Sequence, residues 1–376
     1  MPSIIEINDL MSLRRYEAVW GELLAETPGA SFFQSYDWFV ARVSDAGADV
    51  KPRVLIVLDG SGPRGILPLV VSRQRRQLGS FRMLGYPLSD WGSIYGPIGA
   101  DAETTLAAGL AHVRGTPRDW DVLDLCWVDR DHADGGGTQR AMAAAELSGR
   151  ESIHATTAQV EMAGTWDDYW ASRKSHWRTN VRRSEKRLAE RGEVCHVRFR
   201  PSGTNGGLTS PARQDVDARW DLFDTCVELA ARSWQGGAKS GTTMSHSSAQ
   251  PLLRKVHEAA VRRGAVDLNL LTVGGRPVAF AYNYHYRGYV YGLRSGFDRD
   301  ACDAGAGSVL LCRAIEDSFH RGDWNYDLGP DYLECKRHWW TRLVPTYRYT
   351  HYPWKSPRAQ GVRVGRWLRR RATVET

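Results

Sequence analysis

The densest mixture of titratable side chains in the sequence is the stretch DLGPDYLECKRHWW, Asp327 to Trp340, directly after a short run that reads as a buried strand. Asp327, at the carboxyl end of that strand, can accept a proton, orient an ammonium or cap the turn at Gly329 and Asp331. Glu334 is a further carboxylate candidate, or a salt-bridge partner of Lys336 or Arg337. A lysine charge at position 336 can stabilise an oxyanion or bind phosphate. Tyr332, Tyr282, Tyr284 and Tyr291 can supply a phenolic proton, although tyrosines at alternating strand positions also serve as packing. His285 stands on the opposite alternation from Tyr284 and Tyr286, as a general base or as a hydrogen-bonded structural residue. No spacing of His, Asp and Cys matches a metal site, so no metal is expected.

A second place for chemistry is YGLRSGFDRDACDAGAGSVLL, where a strand, a glycine-rich loop and a helix start follow one another. That arrangement aims free backbone N–H groups at an anion, and Gly305 and Gly307 allow close approach of a pyrophosphate. Equally, the two glycines can do no more than shape a tight turn. The pattern is neither G-x-G-x-x-G nor a lysine-bearing phosphate loop. A third is SRKSHWRTNVRRSEKRLAER, Ser172 to Arg191, with eight Lys or Arg against two Glu. Arg178, Arg182 and Lys186 recur at i, i+4, i+8 and share a helix face, with Arg183 and Arg187 beside it. That face is either solvated or lines a ligand channel. Trp234 and Lys239, in SWQGGAKSGTTMS, belong to a loop able to close over a substrate.

Elements able to hold these residues can be read from periodicity. Helical patterns cover 13–25, 37–43, 102–113 and 138–147, and extended runs cover 53–58, 65–71, 80–86 and 119–128. The glycines at 135–137 and the polar GRESIHATT mark the edge of a first lobe near residue 150. Thr165 followed by Asp168 starts a helix that continues as the basic segment to a stop at Gly192. RPSGTNGGLTSPARQD reads as a long loop, and helices are expected over 216–233 and 250–263. A meander follows, with turns at Gly274-Gly275 and Arg287-Gly288. A helix over 307–321 and the strand WNYDLG complete the order. Both halves mix α and β elements, which allows an old duplication.

At 376 residues the chain exceeds what one hydrophobic core usually organises, so two lobes are expected. With 42% hydrophobic and 25% charged residues it falls among globular proteins, and no apolar run approaches the ~20 residues of a membrane span. The N-terminus lacks a secretory pattern and the six cysteines contain no C-x-x-C pair, so reduced thiols and a cytoplasmic location are expected. The net charge of +7 is concentrated in the basic segment and in the tail after Lys355, a frayed arm or a surface helix.

The order of these segments resembles the GNAT acyltransferase superfamily, in the CelD-like branch related to Fem-type aminoacyl transferases. The resemblance is carried by YWASRKSHWRTNVRRSEKRLAERG, DLFDTCVELAARSW, GGRPVAFAYNYHYRGYVYGLRSGFD and AGAGSVLLCRAIEDSFHRGDWNYDLGPDYLECKRHW. It spans about Trp166 to Trp340 and does not identify a substrate. It implies a mixed α/β GNAT fold, with two tandem lobes as in Fem-type enzymes. The expected division is a degenerate GNAT-like lobe over 1–150, an acyltransferase lobe over 151–352 and a basic tail over 353–376. It further implies an acyl-CoA or carrier-protein thioester donor, held along the strand at Arg294 and Ser295 and at Gly305, Gly307 and Ser308. The superfamily loop begins with Arg or Gln where this chain has Cys302, which leaves the phosphate grip and the donor open. Lys336, Asp327, Glu334, Tyr332 and His285 become the catalytic candidates, and Arg178, Arg182, Trp234, Lys239 and Tyr284 the substrate-binding ones. The expected reaction passes the acyl group to an amine on a small molecule, peptide or saccharide. Two alternatives stand beside it: a Fem-like transferase using aminoacyl-tRNA, the one case with a nucleic-acid partner in catalysis, and a non-catalytic nucleic-acid-binding protein.

Overall fold

A computed structural model describes residues 2–76, 79–90, 92–201, 217–237, 241–299 and 305–374. The chain divides into two compact units, residues 1–155 with 345–376, and residues 156–344.

Unit 1 begins with β1 (Ser3–Ile7), α1 (Leu10–Leu13), α2 (Glu17–Glu26) and α3 (Tyr36–Ala46). A meander of β2 (Val50–Asp59), β3 (Gly62–Arg76) and β4 (Gly79–Gly85) follows, then α4 (Ala102–Gly115), β5 (Val122–Val128) and α5 (Gly137–Ala144). The chain continues into β6 (Arg150–Glu161), and the division between units falls inside this strand. GRESIHATT is therefore part of a strand, where a boundary near 150 was expected from its polarity. Unit 1 is completed from the far end of the sequence by most of β12 (Arg342–His351) and by α12 (Pro357–Val374).

Its sheet runs β1-β2-β3-β4-β5-β12, with β4 and β5 the parallel pair. The expected separate tail from 353 is corrected by this arrangement. Ala359 and Val362 of α12 pack on Phe81, Met83 and Val122. Arg366 reaches the fully buried Asp124 at 2.8 Å, beside Arg348 of β12 at 3.2 Å. A buried carboxylate needs such partners, so the last helix is fixed to the first unit.

Unit 2 contains α6 (Trp166–Ser172), α7 (Ser175–Ala189), β7 (Val194–Phe199), α8 (Trp220–Arg232) and α9 (Gln250–Arg262). The meander β8 (Val266–Val273), β9 (Arg276–Tyr286) and β10 (Tyr289–Phe297) leads to α10 (Ala306–His320), β11 (Asn325–Asp327) and α11 (Leu333–Lys336). Thr165 and Asp168 start a helix as expected, through a capping box, but that helix stops at Ser172 and a new one opens at Ser175, where a single helix was expected. The sheet runs β6-β11-β10-β9-β8-β7, and only β10 and β11 are parallel. Val278, Ala279 and Ala281 meet α7 and α10 on one face. Tyr282 meets Phe223 and His257, of α8 and α9, on the other.

Both units thus repeat one order: a three-stranded antiparallel meander, a helix, and a strand parallel to the last strand of the meander. The duplicated style of the sequence is present in the topology.

Candidate active site

In unit 2 the parallel pairing is short: Tyr289, Val290 and Tyr291 match Asn325, Tyr326 and Asp327, and there it stops. Gly292 explains the limit. A Cβ at this position would lie 2.5 Å from the Asp327 carbonyl oxygen, so only glycine lets the two backbones come this close before they part. The register of β10 against β9 also shifts between Gly292 and Arg294. Beyond this point β11 gives way to a turn, and β10 continues alone on that side to Phe297.

Asp327 sits at the apex of the parting strands. Side-chain alternation puts it with Tyr291 and Tyr284, its neighbours in register, on the face covered by α8 and α9. Its Oδ1 accepts a 2.7 Å bond from the Gly329 N–H, and its Oδ2 lies 3.4 Å from the Tyr289 hydroxyl. Burial pushes the carboxyl up to about 6, outweighing the Gly329 N–H and the nearby Lys336 charge. Asp327 thus caps the turn at Gly329 while burial keeps its carboxyl raised. Lys336, on α11, donates from Nζ to the Gly329 carbonyl at 3.0 Å. Burial draws its ammonium below the usual lysine range, against the pull of Asp327 and Asp331.

Arg294 adds a second positive group, felt by Lys336, and its Nε donates to the Thr242 carbonyl at 2.5 Å. The Ser295 carbonyl accepts from Gln235 Nε2 at 3.1 Å, and Gln235 Oε1 accepts from the Met244 N–H at 3.1 Å. Trp234 stands edge-on to Tyr332 with ring centroids 6.0 Å apart, so the segment after α8 and the loop before α11 meet at two exposed aromatics. The structure therefore gathers Asp327, Lys336, Tyr332, Arg294, Ser295 and Trp234.

The helix that follows β10 starts without a side-chain cap. Gly305 takes φ +78 at its N-cap, and no acidic residue occupies the first turn, which contains Gly307 and Ser308. Ser184 of α7 lies against it: a Cβ on Gly305 would fall 2.6 Å from Ser184 Oγ. The equivalent helix of unit 1, α4, is built the opposite way, with Asp101 capping Thr104 N–H and Glu103 in the first turn. Acids there disfavour an anion, and their absence from α10 favours one.

Several expected residues fall elsewhere. His285 pairs in register with Val290, on the α7 and α10 face, and its Nε2 lies 3.1 Å from Asp323. It belongs to a buried charge network in which Arg198 holds Asp267 at 2.7 Å and Arg200 holds Asp323 at 2.9 Å. Burial raises the Asp267 carboxyl, and the two guanidiniums outweigh it and hold it well below its usual value. His285 is a structural partner in that network, on the opposite face from Asp327. Glu334 is exposed and paired with Arg337. Tyr284 is fully buried against Tyr282, on the Asp327 face, and burial raises its phenol. Arg178 and Arg182 lie on α7, Arg182 exposed and Arg178 half-buried. Lys239 and Cys302 lie outside the described residues.

Sequence reasoning missed Gly292, Gln235 and Ser184. Gly292 carried a usable signal, a glycine inside a β-rich run, which marks a bulge or a close backbone approach. The other two have none, since each acts through a contact distant in sequence. Two cavities of about 350 and 260 Å³ lie in unit 1 and contain none of the candidate residues. Among the described residues no cluster of His, Cys, Asp and Glu could hold a metal ion.

Comparison with known proteins agrees with this architecture. Residues 175–337 match the family model of the acetyltransferase (GNAT) domain. Among solved structures, FemX is similar at 11% identity over 93% of this chain and 97% of its own, with a TM-score of 0.60. A conserved protein of unknown function from Bacteroides thetaiotaomicron VPI-5482 is similar at 11% identity over 93% and 100%, with a TM-score of 0.52. No curated protein matches the sequence. Strands that part around Asp327, a helix that opens without acids and a repeated topology thus accompany a match to the acetyltransferase (GNAT) domain model over residues 175–337 and a fold similar to that of FemX.

Proposed function

We propose that the chain is an N-acyltransferase that takes an acyl group from a coenzyme A or carrier-protein thioester and passes it to an amine on a small molecule, peptide or saccharide. The observation that carries this reading is the parting of β10 and β11 at Gly292, with Asp327 and Lys336 at its apex. An extended thioester arm can pair with the backbone of Arg294 to Phe297, and its pyrophosphate can meet the start of α10 at Gly305, Gly307 and Ser308.

Acyl transfer to an amine requires removal of a proton from the ammonium, support for the oxyanion and a proton for the leaving thiolate. In this reading the Asp327 carboxylate accepts the first proton. Lys336 and Arg294 supply positive charge to the oxyanion, and Tyr332 stands at the mouth as a donor to the sulfur. Trp234 covers the acceptor. Unit 1 is a degenerate copy in which the corresponding Asp124 is neutralised by Arg348 and Arg366 and the corresponding helix carries acids.

A second reading, an aminoacyl-tRNA donor, is favoured by the exposed Arg182, Arg183, Lys186 and Arg187 on α7 and by the FemX-like fold. Transfer assays with both donor types, with and without ribonuclease, separate the two. Activity with acyl-CoA that survives ribonuclease supports the first reading. Activity with charged tRNA alone, abolished by ribonuclease, replaces it with the second.

A further inference from the structure

The last helix of unit 1 has two faces of opposite character. Ala359, Val362 and Arg366 turn inward, onto Phe81, Met83 and Val122 and onto the Asp124 carboxylate. Val364, Trp367 and Leu368 follow i, i+3, i+4 spacing and form a stripe on the outside, 54%, 44% and 55% exposed. Trp354, just before the helix, is 82% exposed. Burying none of these side chains is costly in water, since each can remove a large apolar area from solvent.

The same segment is strongly cationic. From Trp354 to Val374 the sequence has seven Lys or Arg and no Asp or Glu. Of these, Arg366 is engaged with Asp124, whereas Lys355, Arg358 and Arg363 are exposed beside the apolar stripe. No helix among the described residues is long and apolar enough to cross a membrane. A short amphipathic helix with arginines flanking tryptophan and leucine has the composition of one that lies in the headgroup layer of an anionic bilayer.

We propose that α12 is a docking surface for an anionic phospholipid membrane, with Val364, Trp367 and Leu368 seated at the headgroup–acyl boundary and the arginines on the lipid phosphates. A nucleic acid would also attract the arginines, but it offers no partner for the aliphatic side chains of Val364 and Leu368. A second copy of the chain would bring the same positive charge against itself.

The test is flotation of the full-length chain with vesicles of phosphatidylglycerol and phosphatidylcholine, beside vesicles of phosphatidylcholine alone. The double change Trp367→Ser with Leu368→Ser keeps every charge and alters only exposed positions, so its thermal unfolding should match the parent. The parent should float with the anionic vesicles and not with the neutral ones. The double variant should lose at least tenfold in vesicle-bound fraction, and Arg363→Glu should weaken binding to anionic vesicles. Flotation that is unchanged in the double variant would overturn the proposal. So would absence of flotation, whether accompanied by RNA binding or by self-association that the double variant abolishes.

Discussion

Burial raises the Asp327 carboxyl and lowers the Lys336 ammonium while the charge of each opposes the other's shift, and this balance can be measured at the scale of single residues. Burial raises the Asp327 carboxyl to about 6 from an ordinary value near 3.8. The folded protein then binds a proton more tightly than the unfolded chain between those values. Stability from this group is fully present below about 4 and is lost as pH rises through about 6, by a total on the order of 3 kcal/mol. Asp327→Asn should therefore flatten the pH dependence of thermal stability across this window, and should lower turnover by about two orders of magnitude. Lys336→Met keeps the volume and removes the charge that opposes burial. It should cut turnover at least tenfold and move the acidic limb of the pH–rate profile above that of the parent. An unchanged rate and limb would remove Lys336 from the mechanism. The sequence could show these two residues in one segment after a strand. It could not show that Asp327 is buried while Glu334, of the same chemical type, is exposed, because that difference is set by the strand end and by the turn at Gly329.

At the scale of elements, the strand parting rests on one glycine. Gly292→Ala puts a methyl 2.5 Å from a backbone oxygen that cannot swing aside, so it should destabilise the protein by about 1–3 kcal/mol. Chemical denaturation would show this as a lower midpoint at an unchanged slope. Gly85 stands in the same relation to the Asp124 carbonyl in unit 1, at 2.3 Å, and should respond alike. Most helices and strands were legible from periodicity, the meander of unit 2 and α10 within a residue or two. Several were not, among them β1, β7 and α11, and two are instructive. β6 is polar at its start, and its strand form comes from pairing with strands distant in sequence, β12 and, at its last three residues, β11. β12 follows two tryptophans and falls within the expected end of the lobe, since it becomes a strand by pairing with β5 and β6, both far away in sequence.

At the scale of the whole molecule, the same topological order serves two different ends. Unit 1 closes its copy by salt bridges to Asp124, and Arg366→Ala should cost that unit about 2 kcal/mol by leaving a buried carboxylate with one cationic partner fewer. Limited proteolysis at rising temperature would detect the loss within residues 1–155. Unit 2 keeps its copy open at a helix start without acids. The central claim, that a thioester donor binds there, is tested most directly by native mass spectrometry of the full chain with a panel of acyl-CoA thioesters, for the parent and for Ser308→Asp. An acid in the first turn favours the helix itself and repels a phosphate, so folding should be retained. The account predicts one acyl-CoA per parent chain and at least a tenfold loss of binding in Ser308→Asp. Two donors per chain, or binding that Ser308→Asp leaves unchanged, would contradict it.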